Sequence, residues 1–219
     1  MDTIVQKRKQ NGTKRHPNPN YSLQTRHASL ASVSRFGVLM HKTAEDVLAH
    51  LRPLVGLPLS IARSAGSMGN FQFGQVRERE RGTVGEFALH VDCPWRIEGP
   101  RGMEVGSNDI YHPAEEPDPD FDWDAFNEDL DGNLRLKLFV ELLGSYDEKT
   151  RSAVNVTEHL VVEDVEADSV GGAVLRLSGR YRLVIFPATT RGENWRIFEP
   201  GRDGPHFVIA GGKVEDEET

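Results

Sequence analysis

His90, Asp92, Asp109 and His112 place two imidazoles and two carboxylates within one short stretch of the chain. Imidazole nitrogen and carboxylate oxygen suit zinc or a non-haem metal, and a strand can hold such ligands rigidly. The catalytic reading of these four residues is a metal-assisted hydrolase. Their spacing matches no established metal motif, and eight histidines among 219 residues bring some beside acids without any ligand. The plainer reading makes them hydrogen-bonded surface or partly buried groups, and it carries the expectation of no bound metal and no cofactor.

Three other segments invite a chemical reading. Ala65-Gly66-Ser67-Met68-Gly69 has the outline of a nucleophile elbow with Ala in place of the first Gly, but that turn needs a helix after the serine. Here Asn70-Phe71-Gln72-Phe73-Gly74 continues as an alternating strand, so a hairpin loop is expected. Cys93 falls on the apolar parity of its strand, where a thiol packs rather than attacks. The stretch Ala114 to Asp131 carries nine acids and no base, with Asp118, Asp120, Asp122 and Asp124 at alternate positions. A calcium loop of the EF-hand type would need Gly at its sixth position and Glu at its twelfth. Counted from Asp118 those positions hold Trp123 and Asp129, so the run reads as an exposed acidic loop or docking surface. Further on, Trp195 and Arg196 form either an interface hot spot or the two faces of a half-buried strand.

Charge sorts these possibilities. Residues 1–42 hold eight Lys or Arg and one acid, a net of +7, whereas the remainder holds 18 basic and 33 acidic residues, a net of -15. A body this acidic repels nucleic acid and steers toward basic proteins. No apolar run approaches the roughly 18 residues that span a bilayer, and no hydrophobic segment follows the basic residues Lys7 to Lys9. A single cysteine allows no internal disulfide, which fits a reducing, cytoplasmic setting.

The elements that must position these groups are mostly strands. Residues 1–39 are polar, basic and dense in breakers, and are expected to be a disordered tail, with one α+β domain over 40–213 and an acidic tail over 214–219. Thr43 can cap a first helix whose apolar stripe is Val47, Leu48 and Leu51, with Gly56 closing it. Between Glu86 and Glu98 every odd position is apolar from Phe87 to Ile97, the strongest strand signal in the chain, with Pro94 demanding an edge or a bulge. Shorter strands follow at 59–62, 71–73, 160–165, 173–177, 181–186, 195–198 and 206–210, broken by Gly171-Gly172 and Gly179-Arg180. Residues 133–143 alternate as a strand yet end in Gly144 as a helix would, and the pattern decides neither. The fold class expected is therefore α+β, strand-rich, with mostly antiparallel sheets and one N-terminal helix.

The segments Ala88 to Ile97, Gly106 to Tyr111 and Glu193 to Phe198, with His206-Phe207-Val208, resemble a family of uncharacterised bacterial proteins. The resemblance implies a small bacterial cytosolic domain and carries no catalytic residues with it. In size and acidity such chains are similar to immunity proteins of bacterial toxin systems. The leading expectation is a non-enzymatic acidic protein that binds, and as an immunity protein neutralises, a basic partner. Its binding candidates are Asp118, Asp120, Asp122, Asp124, Trp195 and Arg196.

Overall fold

The computed structural model describes residues 43–80, 82–127, 132–157 and 159–215. The expected tail over residues 1–39 lies outside them, as do residues 216–219 of the expected acidic C-terminus. Helix α1 covers residues 43–51 and continues into a 3-10 turn, Arg52–Leu54. Thr43, the first described residue, is already helical. Val47, Leu51 and Leu54 are buried along one side, and Pro53 stands where the α-helix gives way to the 3-10 turn, since it has no N–H to continue the ladder. Gly56, at φ +88°, turns the chain out of the helix and donates its N–H to the Val162 carbonyl at 2.8 Å.

The strands are β1 (Leu59–Ala65), β2 (Met68–Phe73), β3 (Arg77–Arg79), β4 (Gly82–Val84), β5 (Phe87–Val91), β6 (Trp95–Gly99) and β7 (Gly102–Gly106). After helix α2 (Leu134–Leu143) come β8 (Gly144–Asp147), β9 (Ser152–Asn155), β10 (Val162–Ala167), β11 (Ala173–Leu177), β12 (Tyr181–Ile185), β13 (Glu193–Phe198), β14 (Phe207–Ala210) and β15 (Lys213–Val214). They form an eight-stranded sheet in the order β15-β14-β13-β5-β2-β1-β9-β8, a five-stranded sheet in the order β10-β11-β12-β6-β7, and the small hairpin β3-β4. The strands pair antiparallel, with Gly171-Gly172 and Gly179-Arg180 at the turns of the β10-β11-β12 meander. Val214, assigned from sequence to the acidic tail, instead pairs with Ile209 at the edge of the large sheet.

The long alternating segment is not one strand. Its first half, β5, lies between β2 and β13 in the large sheet, and its second half, β6, lies between β12 and β7 in the other. Pro94 sits in the crossing, where it interrupts no ladder. Asp92 and Cys93 donate their N–H groups to the Asn194 carbonyl at 2.9 and 3.0 Å, and the Pro94 carbonyl accepts from Phe186 at 2.9 Å. The alternation survives the change of sheet, since Leu89, Val91, Cys93, Trp95 and Ile97 are all buried in one core. The core joins the two sheets and the helices through aromatic contacts. Phe71 of β2 meets Trp95 of β6 edge-on at 4.8 Å, and Phe139 of α2 stacks on Trp95 at 5.7 Å.

Residues 134–143 are helical because both ends are satisfied. Asn133 accepts from the Leu136 N–H at 2.9 Å, and Gly144 closes the helix in the left-handed region at φ +93°. Among the described residues no helix is long and apolar enough to cross a membrane.

Candidate functional site

The acidic loop leaves the fold at Pro113 and returns at Asn133, which pair as an isolated antiparallel bridge, while Leu134 donates to the His112 carbonyl at 2.8 Å. Closed at its base, the loop is shaped by short-range turns. Asp118 accepts from the Phe121 N–H at 3.0 Å, and the Asp122 carboxylate accepts from Asp124 and Ala125 at 3.1 and 3.3 Å. Phe121 packs against Trp123 at 5.0 Å and against Phe126 at 5.9 Å, and His112 approaches the Trp123 ring at 6.1 Å. Trp123 nevertheless stays 52% exposed. Asp118, Asp120, Asp122 and Asp124 are exposed and form no ion pair among the described residues, whereas Glu115 at the base pairs with Lys137 at 3.1 Å. An exposed indole thus stands among four aspartates that have no ion-pair partner among the described residues.

The four residues of the catalytic reading have separate surroundings. His90 sits on β5 with its ring edge-on to Phe198 at 4.9 Å, and its neighbours in charge are Arg196, Arg63, Glu193 and His206. Asp92 is exposed in the crossing between sheets. Asp109 accepts from the Gly106 N–H at 2.6 Å and so caps the 3-10 turn Ser107–Tyr111. His112 is exposed at the base of the acidic loop. Among the described residues no three of His, Cys, Asp or Glu gather as metal ligands, in this set or in the acidic loop.

Trp195 and Arg196 take opposite sides of β13. Trp195 is fully buried and donates from Nε1 to the Gly171 carbonyl at 2.7 Å, so its ring belongs to the core. Arg196 faces the other way, where Glu193 accepts from its Nε at 2.6 Å and from its Nη2. Burial pushes the Cys93 thiol up to about 12, which leaves it protonated at neutral pH.

Ser67 lies in the β1-β2 hairpin, with Gly66 at φ +57°, and a strand follows it where an elbow needs a helix. The residue that holds this hairpin is Arg135, which sequence reasoning passed over. Its guanidinium is wholly buried and donates to Ser64 Oγ at 2.9 Å and to the carbonyls of Gly66, Ser67 and Ser107 at 2.8, 2.8 and 3.1 Å. It also lies 5.8 Å from the centre of the Trp95 ring. Burial lowers its pKa to about 10, against the opposing pull of Tyr111 and Asp109, so it stays charged at pH 7. A signal was present: Arg135 occupies the same i, i+4, i+8 stripe as Phe139 and Leu143.

Sequence reasoning also missed a polar row on the large sheet. Arg63 lies opposite Asn70, Asn70 opposite His90, and His90 opposite Arg196. Burial draws the pKa of His90 down to about 4, helped by Arg196 and Arg63, so its ring is neutral at pH 7.

Two antiparallel sheets that share one core, with an exposed acidic, aromatic loop, define the architecture: a strand-rich α+β protein. Comparison of the chain with protein-family models, curated proteins and solved structures finds no match.

Proposed function

We propose that this is a non-enzymatic recognition protein whose acidic loop, over the described residues 114–127, binds a basic protein partner. The observation that carries the reading is Trp123, half-exposed between Asp122 and Asp124, where Asp118, Asp120, Asp122 and Asp124 form no ion pair among the described residues. An aromatic anchor supplies contact area at low entropic cost, and surrounding charge steers a partner of opposite sign. The -15 balance of residues 43–219 extends that field and disfavours nucleic acid. In its specific form the partner is a basic toxin held inactive in a bacterial cytoplasm, a reducing setting that suits a chain with one buried cysteine.

The test uses the full chain as bait in a lysate of its native host, beside a variant carrying Asp118→Asn, Asp120→Asn, Asp122→Asn and Asp124→Asn. A stoichiometric basic protein is expected on the unmodified chain, released at about 1 M salt, where the screening length falls to roughly 3 Å, and absent from the variant. Retention of no stoichiometric protein, or of one kept equally by the variant, overturns the reading.

A further inference from the structure

One side of the eight-stranded sheet carries nitrogen donors in line across four strands: Arg63 on β1, Asn70 on β2, His90 on β5 and Arg196 on β13. Directly opposed residues of antiparallel strands project to the same side, with Cβ atoms about 4.5–5.5 Å apart. This is the side opposite Phe71, which packs on Phe139 of α2. Arg196 is already engaged by Glu193. Arg63 and His90 have no hydrogen-bond or ion-pair partner for their side chains among the described residues, and Asn70 is held only through its oxygen. Arg63 is half-buried, and burial lowers its pKa.

Asn70 is only 5% exposed, and its orientation is set by a relay. The Gly85 N–H donates to Gln72 Oε1 at 2.7 Å, which turns Gln72 Nε2 toward Asn70 Oδ1 at 3.2 Å. With its oxygen so engaged, Asn70 presents Nδ2, for which no acceptor stands among the described residues. The relay depends on Gly85, where a Cβ would lie 2.6 Å from the Phe73 carbonyl oxygen. His90, neutral at pH 7, adds one N–H. A half-buried guanidinium with no carboxylate or carbonyl partner among the described residues thus stands beside an amide whose NH2 is free to donate. Both groups match an oxyanion, whose oxygens accept a guanidinium fork and further N–H donors together.

We propose that Arg63, Asn70 and His90 form a binding site for an oxyanion, the carboxylate or phosphate group of a small ligand. The site lies on the sheet face, apart from the acidic loop, so its outcome is independent of the partner proposed above.

Nuclear magnetic resonance of the nitrogen-15-labelled full chain tests it by following the Asn70 side-chain amide and the His90 ring. Inorganic phosphate is titrated in one arm and acetate in the other, at constant ionic strength. A saturable shift is expected in at least one arm, and the arm that saturates identifies the anion. The pKa of His90 should rise with it, because a bound negative charge favours the imidazolium. Arg63→Gln should weaken binding at least about tenfold, and Asn70→Asp, which sets a carboxylate beside Arg63, should abolish it. Each variant's dispersed backbone spectrum reports its folding, and either one alone supports the comparison. Shifts that fail to saturate in both arms, or that keep the same affinity in the folded variants, overturn the site.

Discussion

Arg135 shows at the scale of one residue how a charge can be removed from water without a carboxylate. Its donors meet three backbone carbonyls and one hydroxyl, drawn from the β1-β2 hairpin and the turn at Ser107. Hydrogen bonds from an ionised donor are the stronger kind, and their loss leaves buried oxygens unsatisfied. Arg135→Ala should therefore lower stability by at least about 2 kcal/mol, since a buried acceptor left without its donor costs roughly 1–3 kcal/mol. Denaturant unfolding measures this, and a loss below about 1 kcal/mol would show that the hairpin stands without the guanidinium. Arg135→Lys should recover little, because a single ammonium cannot reproduce the planar fork.

At the scale of elements, α2 shows how two periods can coexist in one segment. Leu134, Leu136, Leu138, Val140 and Leu142 alternate as in a strand, yet the fully buried stripe is Arg135, Phe139 and Leu143, of the opposite parity. The caps decide the matter: Asn133 satisfies the first turn and Gly144 reverses the chain at φ +93°. A side chain at Gly144 would take a left-handed conformation and place its Cβ 2.9 Å from Val156 Cγ2. Gly144→Ala should cost about 1–2 kcal/mol from the backbone alone, read as a lowered melting temperature. An unchanged melting temperature would mean that the helix end relaxes freely. The split of β5 from β6 belongs to this scale too, since Pro94 announces an interruption in the strand but not which sheet receives the next residue.

The whole molecule should respond to pH with a definite sign. His90 titrates at about 4 when folded, against its ordinary 6.5, so between these values the unfolded chain binds a proton that the folded chain refuses. Stability should then fall as pH drops from about 6.5 to about 4. Glu98, held below the usual carboxylate range by Arg96 and Arg182, also loses stability toward acid, but from its ordinary 4.5 downward. The upper part of the interval, near 6.5, is therefore dominated by the histidine. Melting temperatures across that upper part should slope for the unmodified chain and flatten in His90→Asn. Equal slopes in both would place the titration elsewhere.

Local periodicity and charge determined much of this protein before any contact was known. The antiparallel, strand-rich character, the common inward parity from Phe87 to Ile97, the glycine turns at 171 and 179, and the division between a basic N-terminal segment and an acidic remainder all follow from neighbouring residues. The acidic loop was legible for the same reason, because a solvated run of carboxylates needs no distant partner. Tertiary structure alone decided the sheet change at Pro94, the burial of Trp195, the separation of His90 from His112, the Arg135 clamp and the row from Arg63 to Arg196. Strand order arises from hydrogen-bond pairing between segments far apart in the chain, and a sequence pattern of period two specifies which face a side chain takes without specifying which strand will lie beside it.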